Sequence, residues 1–295
     1  MEVIQTVAEL RSKLNERKKH YTNSQASNYN SGVGFVPTMG FLHAGHASLL
    51  QQARQDCDIV VLSIFVNPLQ FGPKEDFERY PRDPERDLAL ARQAEVDYVF
   101  MPETAEMYPE PIKTMIKVSD LTDKLDGASR PGHFDGVATV VAKLLHIVEP
   151  DRVYFGLKDA QQVVVIQRMV KDLHMRTVVV PCSIVREADG LAMSSRNVYL
   201  SAEERKQSLV LSQALNQVSG WLEASGEIKA LEQQLTAYIQ TAALAEIDYV
   251  KALSYPSLLE IAHIKDVKAG ERLIVALAVK FGRTRLIDNN LLDVN

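Results

Sequence analysis

The chain has 295 residues, of which 46% are hydrophobic and 24% charged, the composition of an ordinary globular protein with room for one large domain or two smaller ones. Its formal charge of -5 argues against nucleic acid as a main partner, because phosphate binding demands a basic face; a local basic pocket stays open. No stretch approaches the roughly 18 apolar residues of a membrane span, and "MEVIQTVAELRSKLNERKKH" has an early acid and helically spaced apolar positions, unlike a secretory signal. A cytoplasmic protein with no membrane partner is expected. Its two cysteines, Cys57 and Cys182, lack C-x-x-C spacing and read as free thiols, with a disulfide as the alternative.

In chain order, the polar loop "YTNSQASNYNSG" precedes a strand at "GVGFVPT" and a helix from about His46 to Asp56. "DIVVLSIFV" is a nearly continuous apolar run, the mark of a strand buried on both faces of a parallel sheet. "DPERDLALARQAEV" opens a helix at Asp83 with Pro84 in its first position. A strand at "DYVFMP", a long helix at "GVATVVAKLLHIVEP", a strand at "DRVYFG" and a helix at "DAQQVVVIQRMVKDL" follow. This rhythm predicts an α/β fold with a doubly wound, mostly parallel, Rossmann-like sheet. After Pro181 the pattern changes to long amphipathic helices at about 202–224 and 228–245, then strands in "IDYVKAL", "RLIVALAVK" and "RTRLIDN". Two domains are expected: residues 1–183, binding nucleotide and substrate, and a smaller α+β domain over residues 184–295.

Three segments carry chemistry. "PTMGFLHAGH" sets Gly40 and Gly45 around a strand-to-helix turn, with His43 and His46 three apart at the helix entrance. Unpaired N–H groups and positive partial charge there suit a phosphate, which imidazoles can also hydrogen-bond. A zinc site would need His four apart with Glu between them, and Ala44 is not that Glu. "YFGLKDAQQ" places Gly156, Lys158 and Asp159 in a second such turn, with Gln161 and Gln162 able to bond a substrate hydroxyl or carboxylate. "MSSRN", from Met193 to Asn197, gathers two hydroxyls, a guanidinium and an amide in a loop; the planar fork of arginine suits phosphate. Each segment alone also reads as polar surface.

Together they carry a resemblance. H-x-G-H after a first strand, with a Ser-rich basic loop further on, resembles the adenylylating superfamily of class I aminoacyl-tRNA synthetases and nucleotidyltransferases. The segments "PTMGFLHAGH", "SIFVNPLQFGP", "RPGHFDGVATVV", "YFGLKDAQQ" and "READGLAMSSRN", with "RLIDN" beyond them, resemble in order those of the pantoate–β-alanine ligases. Ala44 and Leu157 replace acidic or polar residues common in that family.

The resemblance implies ATP-dependent condensation of pantoate with β-alanine through a pantoyl adenylate, with Mg²⁺ on the phosphates. It implies an ATP site formed by Met39, Gly40, Phe41, Leu42, His43, Ala44, Gly45 and His46; by Gly156, Leu157, Lys158 and Asp159; and by Val185, Met193, Ser194, Ser195 and Arg196. His46, as proton donor, with His43, Lys158 and Arg196, and Ser194 and Ser195 beside them, would stabilise the transferring phosphoryl group. Gln70 and Gln162 would bind pantoate, with Gln70 also near the incoming amine, and a homodimer is the family's assembly. The metal ligands are unassigned. Asp87 could help hold magnesium but reads first as a helix-dipole or capping partner; Arg130 and His133 are near-site candidates with no derivable role. The rivals are a nucleotidyltransferase and a non-catalytic nucleotide sensor; a sensor has no need of His46, Lys158 and Arg196 together. A tRNA ligase is disfavoured by the short, acidic chain.

Overall fold

The computed structural model describes residues 1–23, 32–73, 75 and 77–294; most of the polar segment at 21–32 lies outside them. Two compact units emerge. The first comprises Met1–Val118, Arg130–Leu157 and Val165–Ser183; the second comprises Ser119–Ser129, Lys158–Val164 and Ile184–Asn295. Lys158, Asp159 and Gln162 thus fall in the second unit, although sequence reading groups them with residues 1–183.

The first unit carries β1 (Glu2–Ile4), α1 (Val7–Asn23), β2 (Val33–Thr38), α2 (Ala44–Asp56), β3 (Ile59–Ile64), α3 (Pro84–Gln93), β4 (Tyr98–Phe100), the short α4 (Thr104–Met107), α6 (His133–Val148), β5 (Arg152–Gly156) and β6 (Val178–Cys182). All six strands pair in parallel, in the order β1-β4-β3-β2-β5-β6. The apolar run of β3 is buried along almost its whole length, as a central parallel strand requires. Pro84 and the Asp83 side chain, which accepts the Arg86 N–H at 3.1 Å, start α3. α2 packs on β2, β3 and β5, and Val36, Leu50, Ala53, Leu62 and Tyr154 share one core. β1 was not legible: its N-terminal segment reads as helix, yet Glu2–Ile4 pairs with Tyr98–Phe100.

From β2 the chain progresses to β3 and β4 on one side, and β5 and β6 lie on the other. The strand order therefore reverses between β2 and β5, and in such sheets ligands bind beyond the carboxyl ends at that point. Thr38 and Gly156 end these two strands.

Within the second unit lie α5 (Leu125–Ser129), α8 (Ala202–Ser208), α9 (Val210–Ser225), α10 (Ile228–Ile239), and β7 (Ala245–Tyr255), β8 (Arg272–Phe281) and β9 (Thr284–Asp293) in one antiparallel sheet. α7 (Ala160–Asp172) begins in this unit and continues into the first. The helix expected over 202–224 is two, α8 and α9. Ser208 and Ser212 bond back to the carbonyls of Arg205 and Leu209 near the joint, a competition that disturbs helices. Leu211, Leu215, Leu231, Leu235, Leu273 and Leu277 fill the core under this sheet.

Candidate active site

The turn after β2 is built by backbone geometry that its residues dictate. Thr38 Oγ1 donates to the Ser63 carbonyl at 2.8 Å and accepts the Gly40 N–H at 3.2 Å. Gly40 has φ +85, and a Cβ there would lie 2.9 Å from Ile64 Cγ2 and 3.0 Å from Asp87 Oδ2; only glycine fits. Phe41 is also left-handed, at φ 50, a conformation that costs about 1–2 kcal/mol for a residue with a Cβ. Asp87 offsets that cost. Its carboxylate accepts the Phe41 N–H at 2.8 Å and the Leu42 N–H at 2.6 Å, and the Arg86 guanidinium lies 4.9 Å from the Phe41 ring centre.

Asp87 is 1% exposed. Burial pushes its carboxyl pKa up, and the two N–H donors only partly counter this. Sequence reading saw a capping or magnesium-binding acid. The structure makes it the clamp of the histidine turn.

α2 starts at Ala44, two residues earlier than expected, so His43 is its N-cap and His46 closes its first turn. Their ring centres are 4.1 Å apart at 32°. The His43 N–H donates to His46 Nδ1 at 3.3 Å. A backbone N–H can only donate, so Nδ1 is the acceptor and neutral His46 carries its proton on Nε2.

Gln70 ends the 3-10 turn Pro68–Gln70 and is 9% exposed. Its Nε2 donates to Met39 Sδ at 3.0 Å, and its Oε1 accepts from Asn67 Nδ2 at 3.2 Å. The structure thus brings Gln70 to the histidine turn. Asn67, which the sequence motifs do not single out, is itself fixed by the Tyr108 hydroxyl at 2.8 Å; burial raises the Tyr108 pKa to about 12. Both thiols are free. Gly156 ends β5 facing open space: a Cβ there would meet nothing within 4 Å.

In the second unit, Asn289 Nδ2 donates to the Lys158 carbonyl at 2.9 Å, holding the turn that presents Lys158, whose Nζ is 3.7 Å from Asp159. Gln161 is not available to a substrate. Its amide bonds Asp126 N–H and the carbonyls of Leu121 and Lys124 at 2.7–2.9 Å. Gln162, half-buried, makes no side-chain hydrogen bond among the described residues.

Val185 pairs across a short hairpin, its carbonyl accepting the Met193 N–H at 3.0 Å. Arg186 holds that hairpin to Asp288 through a bidentate pair at 2.6 and 3.0 Å. "MSSRN" is more ordered than a loop: Ser194 caps the 3-10 turn Ser195–Tyr199, and Asn197 donates to Glu187 at 2.7 Å. Ser195, which is buried, and Arg196, which is half-buried, both lie in that braced turn. Among the described residues no group of three His, Cys, Asp or Glu could hold a metal ion.

The clamped glycine–histidine turn thus stands at the switch point of a parallel α/β sheet, where ligands bind in such folds. The chain belongs to the pantoate–β-alanine ligase family, whose model matches residues 2–291. It is 51% identical to the pantothenate synthetase of Acetivibrio thermocellus over 295 residues, covering 100% of both chains. With that of Pelotomaculum thermopropionicum it shares 51% over 294 residues, 99% of each. The crystal structure of pantothenate synthetase from Thermus thermophilus superposes with a TM-score of 0.87 at 46% identity, over 98% of this chain and 99% of that one. The ligase of Francisella tularensis, solved with β-γ ATP and β-alanine, gives 0.77 at 32% identity over 99% and 97%. The chain is a ligase that forms a C–N bond between pantoate and β-alanine.

Proposed function

We propose that the bond is made through a pantoyl adenylate. A pantoate carboxylate oxygen attacks the α-phosphorus of ATP and pyrophosphate leaves. The β-alanine amine then attacks the acyl carbon, and AMP departs with that oxygen, leaving pantothenate. Attack of an anion on a polyanion needs fixed positive charge and hydrogen-bond donors aimed at the transferring group. His43, His46, Lys158 and Arg196 are proposed to supply them, within an ATP-binding set of Met39–His46, Gly156–Asp159, Val185 and Met193–Arg196. Gln70 and Gln162 are proposed to bind pantoate; neutral amides orient a carboxylate without quenching it as a nucleophile.

The observation that carries this reading is the fixed tautomer of His46. With Nδ1 accepting from the His43 N–H, the ring has its proton on Nε2, ready to donate as phosphate charge develops. Magnesium carried with ATP would supply neutralisation of phosphate charge, oxygen being its preferred ligand atom.

The proposed assembly is a homodimer. β6 is an edge strand, pairing only with β5 among the described residues, with Val178 55% exposed, and an apolar sheet edge suits a second copy. A cytoplasmic enzyme working on small molecules, without nucleic acid or membrane, fits the charge of -5; among the described residues no helix is long and apolar enough to cross a membrane.

Pyrophosphate release with ATP, pantoate and β-alanine supplied singly and together tests the reading. ATP with pantoate should give a burst that β-alanine turns into steady release. Release that ignores pantoate contradicts it.

A further inference from the structure

Arg130 and His133 stand in "RPGHFDG", a segment to which neither the spacing nor the proposed chemistry gives a role. Arg130 grips Glu75 with both arms of its fork, Nε to Oε1 at 2.7 Å and Nη2 to Oε2 at 2.6 Å. Its Nη1 is 2.9 Å from His133 Nε2, and His133 Nδ1 is 2.8 Å from the Gln70 carbonyl oxygen. A guanidinium only donates and a carbonyl only accepts. His133 therefore takes a hydrogen bond from Arg130 on Nε2 and gives one to Gln70 from Nδ1, which fixes it as the neutral Nδ1–H tautomer.

The same stretch meets the Gln70 turn a second time. A Cβ on Gly136 would overlap the Leu69 carbonyl, so the start of α6 lies flush against Pro68–Gln70. The Gly136 carbonyl also accepts from Asn67 Nδ2 at 3.2 Å, and the same Nδ2 donates to Gln70 Oε1. Gln70 is thus held at its carbonyl by His133 and, at 3.5 Å, by Arg130 Nη2, and at its amide by Asn67 and Met39.

We infer that Arg130 and His133 are positioning residues for pantoate binding: the chain Glu75–Arg130–His133 fixes the Gln70 main chain and so aims its amide. The inference rests on the proposed role of Gln70 as a pantoate ligand. It separates from a packing role because the imidazole has two jobs, filling space beside Phe134, whose ring centre is 5.0 Å away, and donating to a carbonyl.

The test is a double-mutant cycle read as pantoate KM, ATP KM and melting temperature. His133→Phe keeps the ring and loses the donor; His133→Asn loses the ring and keeps a donor; Gln70→Ala keeps the residue-70 carbonyl and loses only the amide. His133→Phe should raise pantoate KM on the order of tenfold, the loss of one well-placed hydrogen bond, with ATP KM and melting temperature moved far less. His133→Asn should recover most of that loss. In the Gln70→Ala background His133→Phe should add no more than about twofold, because residues acting through one group are not additive. A His133→Phe enzyme with wild-type pantoate KM overturns the inference, as does an equal effect in both backgrounds, which leaves Gln70 as the ligand. If Gln70→Ala alone leaves pantoate KM unchanged, the reading of Gln70 falls and takes the inference with it.

Discussion

Asp87 and Leu42 are 45 residues apart in the chain, yet the Leu42 N–H donates to Asp87 Oδ1 at 2.6 Å. The other carboxylate oxygen takes the Phe41 N–H at 2.8 Å, so one buried acid on α3 shapes the turn that presents both histidines. Asp87→Asn replaces one acceptor by an NH₂ that faces an N–H. Adenylate formation should fall about tenfold to hundredfold, as expected of reacting groups displaced by an ångström or less, in enzyme that remains folded by circular dichroism. Single-turnover kinetics near the wild-type rate would show that the clamp does not aim the turn.

His46→Ala should lower kcat for adenylate formation by roughly 10²–10⁴-fold, the usual span for a positioned proton or hydrogen-bond donor, and weaken ATP binding less. His46→Asn, which can keep an acceptor for the His43 N–H but has no Nε2, should melt closer to wild type while losing comparable rate. Thermal unfolding beside single-turnover assays separates loss of the helix cap from loss of the donor.

Two adjacent glutamines should behave oppositely. Gln161→Ala deprives three main-chain groups of their partners and should cost about 1–3 kcal/mol of stability. Gln162→Ala should leave the unfolding midpoint near wild type and raise pantoate KM about tenfold or more, since a hydrogen bond to a charged group contributes about 1.5–3 kcal/mol. Urea unfolding and steady-state kinetics on both variants decide the assignment.

Glu75 provides a pH-dependent check on its pairing with Arg130. Burial raises the Glu75 pKa, but the hydrogen bonds and charge of Arg130, together with a main-chain hydrogen bond at Gly72 and the neighbouring His133, hold it below its ordinary 4.5. The unfolded chain then binds more protons than the folded one in that window. The pair's stabilisation is complete above about 4.5 and is lost as pH falls through the lower, folded-state value. Glu75→Gln should be less stable than wild type at pH 7, and the gap should close on acidification below that ordinary value. A gap independent of pH would mean the carboxylate charge contributes nothing.

What could be read from the sequence was what leaves a local trace. The apolar run of β3, the Asp83–Pro84 start of α3 and the glycine–histidine turn each announce themselves within about ten residues. β1 does not, because its three residues are strand only through pairing with β4. Nor could "AQQ" reveal which glutamine faces inward, since Gln161 finds its partners 35–40 residues away. Asp87 looked like a dipole partner at a helix start for the same reason: its ligands lie 45 and 46 residues back. The residue types proposed for the site stand in short local motifs; the long-range bonds that aim them leave no such trace.

The central claim is the acyl adenylate, and the fate of one oxygen tests it most directly. Enzyme is given ATP and pantoate labelled with oxygen-18 in its carboxylate, then β-alanine, and the AMP is analysed by mass spectrometry. Attack of the carboxylate on the α-phosphorus predicts one labelled oxygen in each AMP and the other in pantothenate. AMP free of label, with both labelled oxygens retained elsewhere, would contradict the adenylate mechanism.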